Sequence, residues 1–212
     1  TGCDASILAN VALRWDGAHP GVGVDPDVMW LEPSLPPGMR SVLTWEKGVG
    51  VVRVAVEIVG RDTARKDYQL GPAKYAASGT RELWVFDPEG YGRTETDEGP
   101  WVLQVWRRSK GGFRRVYAGD GPFRSAELGA WLVVVGDLLR VSEDREGTRL
   151  WPTTAEERDQ ERAERARAEQ AQAHAEQERA RAEQERDAAK AKAEAAEARI
   201  RALEALLAAR ER

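Results

Sequence analysis

From Thr154 to Arg212 the chain contains neither glycine nor proline, and this absence divides it into two folding problems. Alanine, the best helix former, alternates there with Glu, Arg and Gln. The composition predicts one unbroken helix over 154–212, about 85 Å long at roughly 1.5 Å rise per residue. AEQERAR (175–181) runs directly into AEQERDA (182–188), a seven-residue repeat. Ala168, Ala175, Ala182, Ala189, Ala196 and Leu203 share one heptad position. The other seam position holds Arg165, Gln172, Arg179, Arg186, Ala193, Ile200 and Leu207. That is a coiled-coil-like pattern whose seam strengthens only at IRALEALL (200–207). Alanine knobs bury little area, so a dimer built from this stretch alone is expected to be marginal. Self-association or packing along a partner protein is the favoured reading, with Ala182, Ala189, Ala196, Ile200, Leu203 and Leu207 as contact residues. A solitary charged helix is the alternative.

The text before residue 154 follows another grammar and holds all 8 Trp. ILANVALRW (7–15) and PDVMW (26–30) read as strands. LEPSLPPGMR (31–40) reads as a loop, because three prolines and a glycine cannot sustain a ladder. VVRVAVEIV (51–59) is the most apolar strand candidate. TARKDYQLGPAKYAASG (63–79) predicts a helix disturbed at Gly71-Pro72 and stopped at Gly79. ELWVFDP (82–88) is a further strand. WVLQVWRR (101–108) and FRRVYAG (113–119) bracket SKGG, a hairpin signal. Residues 121–141 close the domain. Strand, helix, strand and hairpin in that order imply a mixed α/β domain over 1–150.

Charge singles out no partner: 32 basic residues against 36 acidic ones leave −4. A dedicated nucleic-acid binder usually carries a basic surplus. Arg107, Arg108, Lys110, Arg114 and Arg115 gather around one hairpin, more in the manner of a solvated edge than of a binding groove. Cys3 is the only cysteine, which excludes an intrachain disulfide or a thiolate zinc cluster and fits a reducing, cytoplasmic setting. No apolar run approaches a membrane span. The chain opens on TGCDASILAN, with neither an initiator Met nor a signal pattern, so its start is expected to lie inside a longer product or after absent residues.

Four carboxylates stand at strand edges: Asp27, Glu57, Glu82 and Asp87. Phosphodiester cleavage by a divalent metal needs hard oxygen ligands converging from adjacent strands, with a lysine nearby to assist water or steady phosphate charge. Asp27, after Pro26, and Glu57, inside an apolar run, are the best pair. Burying Glu57 between Val56 and Ile58 is costly unless it is paired or metal-bound; strand alternation pointing it to solvent is the bland reading, and from spacing alone the more frequent one. No nucleotide-binding glycine loop occurs, and His19 and His174 are too far apart in sequence to suggest a shared metal site.

These residues resemble the Uma2 family (DUF820) of restriction-endonuclease-like proteins in the PD-(D/E)xK nuclease superfamily. Pro26-Asp27 matches the proline-aspartate pair that enters one strand. VEIVG matches the strand ending in Glu-Val-x-Ser, with Glu57 as the glutamate. Thr63, Asp67 and Tyr75 match the threonine, aspartate and tyrosine that follow. GTRELWVFDP (79–88) matches the closing Gly-Val-x-Glu-Tyr-Trp-x-x-Asp-Pro. FRSAELGAWL and the alanine-rich tail are also typical of the family, and the resemblance spans roughly residues 10–150. It implies a restriction-endonuclease-like mixed-sheet core, with Asp27 and Glu57 as ligands of Mg²⁺ or Mn²⁺ and DNA as a candidate partner. Glu82, Asp87, Asp67 and Tyr75 fall in supporting places.

The departures bear on activity. The family's helix lysine falls on Gly71, with Pro72 after it, and its serine falls on Gly60. Lys66 lies one turn back and Lys74 one turn onward, so either is a candidate replacement. The family's N-terminal helix with its acidic residue has no match. Together the losses point to a degenerate head acting in binding or assembly. The alternatives are an active Mg-dependent DNA endonuclease and a non-catalytic nucleic-acid-binding protein.

Overall fold

The computed structural model describes residues 4–36, 38–94, 101–110 and 112–210; the side chains of 93, 94 and 202–210 are outside that description. Two compact units result, Thr1–Trp151 and Pro152–Arg212.

A six-stranded sheet organises the first unit. Its strands are β1 (Ser6–Ala9), β4 (Val28–Glu32), β6 (Val51–Ile58), β7 (Glu82–Phe86), β8 (Leu103–Ser109) and β9 (Gly112–Gly119), in spatial order β1-β4-β6-β7-β8-β9. Only β6 and β7 run parallel within it, and parallel neighbours require a crossover. The crossover carries a π-helical segment, Lys66–Leu70, and helix α1, Gly71–Ala77. β7 lies buried along its whole length, which explains the uninterrupted apolar run LWVF.

Two smaller sheets complete the unit. β2 (Ala12–Arg14) pairs with β3 (Gly23–Val24) and β5 (Ser41–Leu43); β10 (Phe123–Arg124), β11 (Trp131–Val135) and β12 (Leu138–Ser142) form the other. The expected single strand over 7–15 is two strands in different sheets. The chain turns between them at Asn10, which sits at φ 54. Asparagine tolerates this left-handed conformation better than most residues.

The main sheet separates two apolar clusters. Met29, Leu31, Val52, Ala55, Leu83, Val85 and Tyr75 belong to one. Val54, Trp84, Leu103, Val105 and Leu132 belong to the other. A bulge sets the alternation on β6: Trp30 pairs with Val54 and Leu31 with Val52, so Arg53 is left over. Beyond the bulge, Ala55 joins the cluster that contains α1, and Glu57, two residues on, lies on that same side.

α1 begins where the sequence predicts disturbance. Proline in the first turn of an α-helix loses no hydrogen bond, and Pro72 occupies that place. The preceding π-helical segment absorbs the change, with the Gly71 N–H bonded to the Lys66 carbonyl. Gly79, at φ 87, stops the chain in a conformation glycine adopts without penalty.

The second unit holds a single helix, α2 (Thr154–Arg210). Thr153 and Glu156 cap its start reciprocally: the Thr153 hydroxyl accepts the Glu156 N–H at 3.2 Å, and the Glu156 carboxylate accepts the Thr153 N–H at 2.6 Å. Ala182, Ala189, Ala196 and Ile200 are exposed along it, while the side chains of Leu203 and Leu207 lie outside the described residues. Among the described residues no helix is long and apolar enough to cross a membrane.

Candidate functional site

β4, β6 and the π-helical segment bring four charged side chains together. Asp27 precedes β4 and its Oδ2 accepts the Ile58 backbone N–H at 2.6 Å, which ties the start of β4 to the end of β6. Glu57, one residue earlier, is 2% exposed. Its Oε1 accepts the Tyr75 hydroxyl at 2.7 Å. Tyr75 reaches it from α1, fully buried. Asp67, 1% exposed, belongs to the π-helical segment. Lys66, beside it in sequence, places Nζ 3.4 Å from Asp67 Oδ1 and 3.9 Å from Glu57 Oε1.

Burial dominates the electrostatics. It pushes the Glu57 carboxyl up to about 7, against the lowering influence of the Tyr75 hydrogen bond and the Lys66 ammonium; Asp67 and Asp27 push the same way as burial. Asp67 is raised for the same first reason. The Thr63 hydroxyl lies near enough to lower Asp67, but it also donates to the Gly60 carbonyl at 3.4 Å. Neither Asp67 oxygen accepts a well-formed hydrogen bond. Burial works against the Lys66 charge, yet Glu57, Asp67 and Asp27 outweigh it and hold its pKa above the usual value. Burial and then Glu57 push the Tyr75 phenol far up, so it remains a donor.

The other sequence candidates separate cleanly. Lys74 is exposed on α1, and Lys66 is the cation beside Glu57. Glu82 is buried in a different network: it accepts the Trp84 indole N–H at 2.7 Å, the Arg107 guanidinium at 3.0 Å and the Ala126 N–H at 3.3 Å. Asp87 accepts the Tyr68 hydroxyl at 2.7 Å and the N–H groups of Tyr91 and Gly92 at 2.9 and 2.8 Å, fixing the turn after β7. Both carboxylates bind protein donors, and neither shares a partner with Asp27 or Glu57 among the described bonds. Within the hairpin, Arg108 is tied to the carbonyls of Thr80 and Ala76.

Two charged residues passed unnoticed in the sequence. Arg53, the bulged residue of β6, pairs with Glu127 at 2.9 Å. They help line a cavity of about 680 Å³ with Trp30, Val54, Val56 and Trp84. It opens on the sheet face opposite Glu57, so it is separate from the acidic cluster. Only a lone arginine inside an apolar strand hinted at it.

A Mg²⁺ or Mn²⁺ ion asks for near-octahedral oxygen ligands at about 2.0–2.1 Å, commonly one or two carboxylates with water. Among the described residues no group of three or more His, Cys, Asp or Glu side chains is placed to hold a metal ion. Glu57 Oε1 already holds a phenol, and an ammonium faces the cluster. A cluster faced by a phenol and an ammonium does not fit a divalent centre.

No curated protein matches the chain. One solved structure with a similar fold is a crystal structure of a putative nuclease belonging to DUF820 from Anabaena variabilis, at 13% identity and a TM-score of 0.38. That likeness covers 59% of this chain and 62% of that one, less than two thirds of its length. The family that matches is Uma2, described as "Putative restriction endonuclease", over residues 2–94. Those residues contain Asp27, Glu57, Lys66, Asp67 and Tyr75, so the acidic cluster lies within the stretch that is similar to the Uma2 family.

Proposed function

We propose that the head, residues 1–151, is a degenerate nuclease-like domain that acts in binding or assembly, with α2 as its means of association with a second copy or a partner protein. One observation carries this reading: Glu57, the carboxylate a nuclease would offer to metal, is 2% exposed and bonded to Tyr75, with the Lys66 ammonium beside it. Gly71 in the place of the family's helix lysine supports it. So does α2, whose described side chains, over 154–201, are all exposed.

The test is cleavage by the full chain. Supercoiled and linear DNA incubated with Mg²⁺ or Mn²⁺ are expected to show no nicking above that of an Asp27→Ala/Glu57→Ala variant. Sedimentation of the full chain is expected to show association. Cleavage lost in the double variant sinks the reading.

A second reading, metal-dependent DNA hydrolysis, has one observation in its favour. Lys66 stands close to Glu57 and Asp67, where an ammonium can assist a reaction on phosphate. Under that reading cleavage is present and Lys66→Ala removes it. Arg107 and Arg108 are held by Glu82, Thr80 and Ala76, which leaves the non-catalytic nucleic-acid binder with less support.

A further inference from the structure

We propose that the Lys66 ammonium is the resident cation of the acidic cluster, pairing with Asp67 and facing Glu57 in place of a divalent ion and keeping such an ion out. The inference rests on the reading of the head as degenerate and gives its site a specific chemistry.

The starting point is Asp67. Its side chain is 1% exposed, and neither oxygen accepts a well-formed hydrogen bond. A carboxylate taken out of water without donors is costly unless a cation faces it. Lys66 Nζ, at 3.4 Å, is that cation, and the same ammonium stands 3.9 Å from Glu57. Asp27 also acts on Lys66, so three carboxylates bear on one ammonium. The remaining neighbour of Glu57 in the cluster is the neutral Tyr75 hydroxyl.

Sequence makes this arrangement persistent. Lys66 and Asp67 are adjacent on the π-helical segment, so the cation is tethered to the group it neutralises. A tethered charge acts at an effective concentration that free ions rarely reach. A divalent ion would have to displace the ammonium and also compete with the Tyr75 hydroxyl for Glu57. Lys66 is 44% exposed at its side chain, so replacing it opens the cluster to solvent without excavating the core.

The experiment is calorimetric titration of Mn²⁺ into the full chain, comparing the wild type with Lys66→Gln, Lys66→Met and Lys66→Arg. The wild type and Lys66→Arg, which keeps a positive charge, are expected to give no saturable heat. Lys66→Gln and Lys66→Met are expected to gain saturable binding near one ion per chain. Adding Glu57→Gln to either is expected to abolish it. Folded Lys66→Gln and Lys66→Met proteins that bind no Mn²⁺ overturn the proposal. Saturable binding by the wild type that Lys66→Gln leaves unchanged also overturns it. If the variants lose their structure in chelator, recovery of circular dichroism on adding Mn²⁺ supports the proposal and no recovery overturns it. Parallel DNA cleavage separates the two claims. An inert wild type whose Lys66 variants gain no metal defeats only the cation role, whereas a cleaving wild type defeats the degenerate reading itself.

Discussion

Glu57 carries a burial cost that its neighbours only partly offset. In the unfolded chain its carboxyl ionises at the usual 4.5, and in the fold only at about 7. Between those values the unfolded chain releases the proton first. Stability therefore falls as pH rises through that window and stays reduced above it, by at most on the order of 3 kcal/mol. Glu57→Gln keeps an acceptor for Tyr75 and removes the charge. Thermal melts are expected to show this variant gaining on the wild type as pH rises from 4.5 to 7, with no such gain below the window. Tyr75→Phe acts in the opposite sense, because it strips a donor from a buried carboxylate. A loss of about 1–3 kcal/mol in urea unfolding is expected near neutral pH. The sequence left the direction of Glu57 open for a physical reason. Strand alternation is a reliable guide only in an unbroken ladder, and the bulge at Arg53 resets it four residues earlier. Asp67 was legible only as a supporting residue, since nothing in the sequence signals that a π-helical turn will bury it beside Lys66.

At the scale of elements, the strongest sequence signals were those with local causes. The apolar run of β7 and the turn residues between β8 and β9 marked strands that the fold contains, and the Gly71-Pro72 disturbance coincides with the change from π to α geometry. Pairings across long separations were not legible. Glu82 and Arg107 are 25 residues apart and meet only because β7 and β8 run antiparallel in one register. Arg107→Met leaves Glu82 buried without its cation, and a loss of about 3 kcal/mol or more in denaturant unfolding is expected. Gly71 gives a prediction of the other sign. Its backbone is right-handed helical at φ −52, and an added Cβ would meet the Lys66 carbonyl at 3.5 Å, an ordinary contact. Gly71→Ala is therefore expected to raise stability by about 0.4–1 kcal/mol, read from the shift in denaturation midpoint. An unchanged or lowered midpoint contradicts the helical reading of that position.

At the scale of the whole molecule, a mixed α/β head and a long helix were both legible, because composition changes abruptly where the units divide. A partner for the helix was not legible, since an alanine seam buries too little area to specify one. If α2 associates with a second copy, its helical circular dichroism is expected to fall on dilution of the full chain, and a signal independent of concentration speaks against self-association. The claim on which the proposed function turns is that Asp27 and Glu57 form no metal centre. Mn²⁺ titration into the folded wild-type protein, beside the Asp27→Ala/Glu57→Ala variant, tests it most directly. Two superimposable titrations without saturable heat are the expected result. Saturable binding in the wild type that vanishes in the double variant would contradict it and favour the reading of metal-dependent hydrolysis.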